Sequence, residues 1–211
     1  MKKKNVIILA IAMIIIIAGV IVTFTIGFNK QLRYQESQKI DIYVASEVDV
    51  KKIKDIANEV LGRNNMVQTI EIYQDMVTIR AKSISDEQKD TIVNKVKENY
   101  EFEQTAESTE VKNIPATRIK DIFKKYLLPA VLSFIIVLVY MAVRYREKGI
   151  LKVIAQTIAI PVLCEIILAS LIAIIRIPVG VYTPTLVLVV YLASITYTVV
   201  RIENQPDASK K

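Results

Sequence analysis

The residues whose types and spacing could best support chemistry lie within one long apolar run. Glu165 stands near the middle of this run, four residues after Pro161. An ionised carboxylate at the centre of a bilayer costs about 2.5 to 3.5 kcal/mol on translocon-type scales, so we expect Glu165 to face other helices and to be protonated. Pro161 has no backbone N–H and leaves the carbonyl of Thr157 without its usual helical partner. The pattern indicates either a proton-sensitive or conformational hinge, or a neutral Glu that joins helices by hydrogen bonding.

The sequence offers few polar partners for Glu165. Gln156 lies on the same predicted helix, and Tyr191, Ser194 and Tyr197 lie on the next one. No second acid accompanies Glu165 in any apolar run, so a self-contained proton relay is not expected. The predicted intramembrane functional residues are Glu165, Pro161, Gln156, Tyr191 and Ser194.

Several kinds of active site are excluded by composition. The chain has no histidine, and its single cysteine, Cys164, lies in an apolar run. A Cys/His metal site, a Ser-His-Asp triad and a Cys-His pair therefore cannot form within the chain, and an intrachain disulfide needs two cysteines. Because no nucleophile and base can be paired, we predict a protein that is not an enzyme, with no catalytic residue, no metal and no cofactor.

The elements that must position Glu165 are membrane-spanning helices. Hydrophobic residues make up 53% of the 211-residue chain, and its mean hydropathy is +0.37. Each of four nearly uncharged runs is long enough to cross a hydrocarbon core of roughly 30 Å. The first run is longer than a signal-peptide core and has no good cleavage motif, so we expect a retained anchor. The predicted spans are 5–28, 126–143, 150–175 and 182–200.

The basic residues predict the orientation of these spans. Lys and Arg total 28 against 21 Asp and Glu, and the excess lies largely beside the apolar runs. This placement indicates contact with a lipid bilayer and not with nucleic acid. Cytoplasmic N- and C-termini satisfy the positive-inside rule, which puts residues 29–125 outside the cytoplasm. The basic residues then on the cytoplasmic side are Lys2, Lys3, Lys4, Arg144, Arg146, Lys148, Lys152, Arg201, Lys210 and Lys211.

Between the first two runs, the pattern switches between strand and helix periods. Apolar residues alternate with polar ones from Ile40 to Val44, which predicts a strand with one buried face. Ser46 and Asp49 make an N-cap pattern, and Gly62 is a plausible C-terminal stop. The helix between them carries an apolar stripe of Ile53, Ala57, Val60 and Leu61.

A hairpin and a second helix follow. Alternating runs at 66–72 and 76–82 predict two strands, joined by a loop at 73–75. Ser85 to Gln88 forms a capping box for a helix with an apolar stripe of Ile92, Val93, Val96 and Tyr100. A weaker strand at 102–106 completes the order, and no regular structure is expected at 107–117, where Pro115 indicates a connector.

The sum of these elements is β-α-β-β-α-β, the split βαβ order of ferredoxin-like domains. The predicted fold class is therefore an α-helical membrane protein with four transmembrane helices and one extracytoplasmic α+β domain of ferredoxin-like type. The predicted segments are an anchor (1–28), the α+β domain with its connector (29–117), a three-helix block (118–203) and a cytoplasmic tail (204–211).

The helices also resemble a known family. The run from Ile136 to Arg146 is similar to the second helix of SecF, in the SecD/SecF branch of the RND superfamily, which ends in a Tyr, an Arg and an aromatic residue. The segment from Val199 to Asn204 is similar to that family's closing Asp-Arg-Ile-Arg-Glu-Asn. Glu165 falls where the family usually has a His-Asp pair. The resemblance covers Leu127 to Asn204 and extends to the order of anchor, external domain and helical block.

The departures from the family are equally specific. Ser194 and Ile195 stand where SecF has an Asn-Asp pair important for proton coupling, and SecF continues with two further helices. The resemblance implies a protein that assists or regulates Sec-dependent export near SecD, the Sec translocon and translocating polypeptides, and the departures imply that it lacks a proton pathway of its own. The alternative is a membrane-anchored structural or sensory protein whose extracytoplasmic domain binds a ligand or partner.

Overall fold

The structure, a computed structural model, describes residues 3–44, 49–70, 73–100, 105 and 107–206. The chain divides into two compact units, one of Met1–Asn29 with Ile119–Lys211 and one of Lys30–Arg118. We call the first the helix block and the second the inserted domain. In chain order the elements are α1 (Lys3–Thr25), β1 (Ser37–Tyr43), α2 (Val50–Leu61), β2 (Asn65–Ile70), β3 (Tyr73–Ala81), α3 (Asp86–Asn99), β4 (Val111–Ile114), α4 (Ile119–Arg144), α5 (Ile150–Ile175) and α6 (Thr183–Glu203).

The four apolar runs form four long helices. Those within the described residues that are long and apolar enough to cross a membrane are Val6–Thr25, α4, α5 and α6. Large apolar side chains cover their outer surfaces, with Leu128 70% exposed and Ile136 68% exposed. Such surfaces suit a hydrocarbon environment. The four predicted helices are confirmed, and they indicate a multi-pass membrane protein. The second of them begins at Ile119, seven residues before the predicted span at 126–143.

Small side chains bring the helices of the block together. α1 packs on α5 where Gly19 meets Ser170. α5 and α6 also pack together, and each has a buried stripe that repeats every four residues. Close approach through small residues is typical of helices in membranes. The stripes are Val153, Thr157 and Pro161 on α5, and Ser194, Thr198 and Ile202 on α6.

The hydroxyl groups of these stripes are satisfied within their own helices. The Thr157 hydroxyl donates to the Val153 carbonyl at 2.8 Å, and the Thr198 hydroxyl donates to the Ser194 carbonyl at 2.7 Å. α5 is continuous through Pro161. At the end of the block where α5 starts, Met141, Val153 and Ile202 form a buried cluster that joins α4, α5 and α6.

The inserted domain contains a four-stranded antiparallel sheet with the order β2-β3-β1-β4. One face carries the core, in which Ile40 pairs with Ile79 and Ile42 pairs with Val77. The predicted apolar stripes are confirmed, because their residues are buried in this core or packed against it. The core residues are Ile40, Ile42, Val44, Ile53, Ala57, Val77, Ile79, Ala81, Ile84, Ile92, Val93 and Val96.

The predicted helix ends are confirmed where the structure describes them. Asp49 is the N-cap of α2 and accepts from the Lys51 N–H, whereas Ser46 lies outside the described residues. Ser85 and Gln88 form the reciprocal capping box of α3. Gly62 ends α2 with a φ of 76°, a conformation that favours glycine.

Two details of the predicted sheet are wrong. The last strand is β4, at Val111–Ile114, within the stretch from which no regular structure was expected. The predicted strand at 102–106 falls outside the described residues except for Thr105, which is not in a strand. This edge strand has only four residues, and its two central residues, Lys112 and Asn113, are polar. The alternation of apolar and polar residues is therefore too short to predict a strand from the sequence. Residues 73–75 are not a loop but part of β3, which pairs with β2 up to Ile70↔Tyr73.

Candidate functional site

Glu165 lies on α5, ten residues before the helix ends at Ile175. At 1.5 Å rise per residue it is about 15 Å from that end, near the middle of a membrane-length helix. Its Oε1 atom is buried and has no hydrogen-bond partner within the described residues. The interhelical hydrogen bond expected from the sequence is therefore not made by this oxygen.

A cavity of about 240 Å³ lies beside Glu165. Three of the four helices line it, and the segments that follow α1 and precede α6 complete its wall. Among the described residues its surface is apolar apart from Glu165 and Thr183, and none of them that lines it is Lys or Arg. The Thr183 hydroxyl oxygen already accepts from the Gly180 N–H at 2.8 Å. The lining residues are Phe28, Ile119, Phe123, Glu165, Leu168, Ala169, Ile172, Val179, Thr183 and Val187.

The other predicted site residues make their contacts elsewhere. Gln156 accepts a hydrogen bond from Gln205 at 2.9 Å. Ser194 donates to the Tyr191 carbonyl at 2.7 Å, within α6. The Tyr191 ring lies 6.4 Å from that of Phe134, and its hydroxyl is buried without a partner among the described residues. Pro161 is buried and belongs to the stripe on α5 that also contains Val153 and Thr157.

No family model matches the chain, and no curated protein matches its sequence. Within the part of the chain that the structure describes, no group of three His, Cys, Asp or Glu side chains could hold a metal ion. Among the described residues, the helix block places one carboxyl group, that of Glu165, in an apolar cavity.

A polar junction that the sequence analysis missed joins the end of α1 to the loop between α5 and α6. The Arg176 guanidinium donates to the Gly27 carbonyl, and the Asn29 side chain donates to the Arg176 carbonyl at 3.1 Å. The Val179 N–H donates to the Asn29 carbonyl at 2.8 Å. Arg176 adopts a left-handed conformation, with a φ of 63°. The only sequence signal was a lone Arg directly after an apolar run.

The two connectors of the inserted domain are held side by side. The Thr117 N–H donates to the Tyr34 carbonyl at 3.1 Å, and the Lys30 ammonium donates to the Thr117 carbonyl at 2.8 Å. Arg80 of β3 holds the first connector to the sheet, because its guanidinium donates to the Ser37 hydroxyl at 2.6 Å and to the Gln35 carbonyl at 3.2 Å. The chain therefore enters and leaves the inserted domain at one place.

A charged cluster lies on the face of the sheet opposite the core. Asp41 accepts from the Thr78 hydroxyl at 2.7 Å, and its carboxylate lies 2.8 Å from the Lys39 ammonium and 3.7 Å from that of Lys112. Burial opposes ionisation of Asp41. The hydrogen bonds from Lys39 and Thr78, with the charges of Lys39 and Lys112, outweigh this and hold the pKa of Asp41 below its usual value.

Proposed function

We propose that this chain is a SecF-like accessory membrane protein that assists or regulates Sec-dependent protein export. The observation that carries the proposal is the order of parts. One apolar helix precedes a β-α-β-β-α-β domain, and three apolar helices follow it. This is the order of the anchor, external domain and helical block in the family that the sequence resembles. The proposed partners are the bilayer, SecD, the Sec translocon and translocating polypeptides.

The proposal includes a ferredoxin-like fold for the inserted domain. In a split βαβ arrangement, a helix connects two strands that are separated by a third. α2 connects β1 to β2, and the sheet order β2-β3-β1-β4 puts β3 between them. Antiparallel pairing of β3 with both neighbours makes β1 and β2 parallel to each other. These pairings support the proposed fold.

The proposed orientation has both termini in the cytoplasm and the inserted domain outside. Its support is the basic cluster of Arg144, Arg146, Lys148 and Lys152 around the short connection from α4 to α5. Short connections rich in Lys and Arg stay in the cytoplasm. The opposite connection, from α5 to α6, carries only Arg176.

The absence of a separate proton pathway is part of the proposal. Ile195 cannot carry a proton, and the Ser194 hydroxyl is engaged with its own helix. Glu165 lines an apolar cavity, and none of the other described residues that line it is acidic or basic. We expect Glu165→Gln to retain normal abundance and full function in export, because Gln keeps a donor and an acceptor. Lost function at normal abundance would contradict this part of the proposal.

Crosslinking in native membranes tests the proposal. Photoreactive residues replace Lys52 and Asn94, two exposed positions of the inserted domain, and Glu147 on the short turn after α4 serves as the matched exposed control. We expect probes on the inserted domain to capture translocating chains or Sec subunits, and the Glu147 probe to capture no translocating chain. Capture of neither class by the inserted domain would overturn the proposal.

A second candidate function is that of a membrane-anchored structural or sensory protein whose extracytoplasmic domain binds a ligand or partner. The observation that favours it is that the inserted domain is a compact unit with its own hydrophobic core. The same crosslinking experiment separates the two functions, because export intermediates should be absent from the captured material if the alternative is correct. A SecD gene beside the gene for this chain would favour the export function.

A further inference from the structure

The cavity at Glu165 has the features of a binding site for a small molecule. It measures about 240 Å³, and every lining residue apart from Glu165 and Thr183 is apolar. Oε1 of Glu165 is buried beside it without a hydrogen-bond partner among the described residues. A buried oxygen without a partner costs free energy, and a ligand in the cavity recovers this cost when the carboxyl group turns that oxygen toward it.

The surroundings of Glu165 favour a neutral ligand. No cationic side chain of the described part of the chain lines the cavity, so none of these wall residues compensates an ionised carboxylate in an apolar environment. A protonated carboxyl has one O–H donor and retains acceptor capacity. A hydroxyl group matches it, because a hydroxyl can accept from the acid O–H and donate to a carboxyl oxygen. Thr183 is the other polar residue of the lining, and its hydroxyl oxygen accepts from the Gly180 N–H.

The volume limits the size of the ligand. An engineered apolar cavity of about 150 Å³ holds benzene. By proportion, 240 Å³ has space for about ten non-hydrogen atoms. Sites for drug-sized ligands usually measure about 300 to 1,000 Å³, so a whole phospholipid does not fit inside the cavity. A hydrocarbon with one hydroxyl and eight to ten carbons, on the order of 1-octanol, fits this limit.

We propose that the cavity is a binding site for a small neutral alcohol. The hydroxyl of the ligand bonds to the Glu165 carboxyl, and its hydrocarbon part packs against Phe123, Leu168 and Ile172. This inference is independent of the export function, because it rests on the helix block alone. A protein of any function could carry the site.

Photolabelling of the full chain in lipid nanodiscs tests the inference. The probe is an octanol that carries a diazirine, and labelled residues are mapped by mass spectrometry. We expect saturable labelling of cavity residues, with 1-octanol competing about three- to tenfold better than octane at equal membrane concentration, as one hydrogen bond predicts. Unsaturable labelling spread over the lipid-facing surfaces would overturn the site. Equal competition by octane would overturn the role of the hydroxyl.

Matched variants separate the cavity from the surrounding helix surface. Ala169→Phe fills the cavity and should abolish saturable labelling, whereas Ala155→Phe, on the same helix but outside the cavity, should not change it. Val187→Phe fills the cavity from α6 and serves if Ala169→Phe does not fold. Glu165→Leu should keep labelling of Leu168 and Ile172 but lose the preference for octanol over octane. Saturable labelling that persists in a folded, filled variant would contradict the inference.

Discussion

Gly19 on α1 and Ser170 on α5 lie so close that a β carbon on residue 19 would come within 2.6 Å of the Ser170 hydroxyl oxygen. Side chains do not approach at that distance, so any larger residue at position 19 must push the two helices apart. α5 carries Glu165 five residues before Ser170, and this crossing fixes α5 against α1. The helix that lines the cavity is therefore held by a contact between two small residues.

The first prediction concerns this helix crossing. Gly19→Leu should destabilise the helix block by about 1 to 3 kcal/mol, as overpacking of a close-packed contact does. Val20→Leu, at an exposed position of the same helix, should have little effect. The midpoint of thermal unfolding in detergent measures both changes.

A pair of substitutions, one on each helix, provides the control for the same helix crossing. Gly19→Ala alone should lower the midpoint, and Ser170→Gly in the same chain should restore part of the loss, because it removes the Cβ and Oγ atoms that the new β carbon meets and leaves only the Cα of residue 170. Residues in contact are coupled in such a double-mutant cycle. Additive effects of the two substitutions would show that the contact does not exist.

The second prediction concerns Tyr191. Its hydroxyl is buried without a partner among the described residues, while its ring packs near Phe134. Tyr191→Phe keeps the ring and removes the unsatisfied hydroxyl, so it should leave stability unchanged or raise it by about 1 kcal/mol. Phe134→Leu, which removes the ring contact, serves as the contrasting variant and should lower stability. A loss of more than about 1 kcal/mol in Tyr191→Phe would reveal a hydrogen bond that this account lacks.

The third prediction concerns acid stability of the inserted domain. The folded-state pKa of Asp41 lies below its usual value, so the ionised group stabilises the fold above the unfolded-state pKa of about 3.9. This contribution is lost as pH falls through the lower, folded-state pKa. The free energy of unfolding of a Lys30–Arg118 fragment, from urea titrations, should therefore fall below about pH 4.

The pH dependence of the free energy of unfolding is compared between the native fragment and the Asp41→Asn variant. The variant should be less stable than the native sequence at pH 7, and its stability should fall less between about pH 4 and pH 2. Asp86→Asn is the control, because the Asp86 side chain is 92% exposed. Parallel pH dependence of the native and Asp41→Asn fragments would contradict the role given to the cluster.

Local sequence signals predicted the elements better than the site. The apolar runs were long enough to define four helices, and the pattern of Ser46 and Asp49 and the capping box at Ser85 marked the starts of the two domain helices because capping depends on neighbouring residues. The short strand at Val111–Ile114 has no such local signal, since pairing with β1 stabilises it. The burial of Ile40 and Ile79 could be predicted, because apolar and polar residues alternate along each of their strands and the apolar ones share one face.

The surroundings of Glu165 could not be predicted, because they depend on which faces the helices turn to one another. The sequence gives Tyr191 and Ser194 as polar neighbours on the next helix. In the structure Ser194 lies in a stripe that repeats every four residues and bonds to its own helix. The cavity instead uses Val187 and Thr183, near the start of α6, with Phe28 and Phe123 from distant parts of the sequence.

The account depends most directly on the side of the membrane that the inserted domain occupies. Single cysteines at Lys52, on α2, and at Glu147, on the turn after α4, are both at exposed positions, and Cys164→Ser removes the native thiol. A membrane-impermeant maleimide is added to intact cells and to permeabilised cells. The account predicts that Lys52→Cys is labelled in intact cells and that Glu147→Cys is labelled only after permeabilisation. Labelling of both positions in intact cells, or of Glu147→Cys alone, would contradict it.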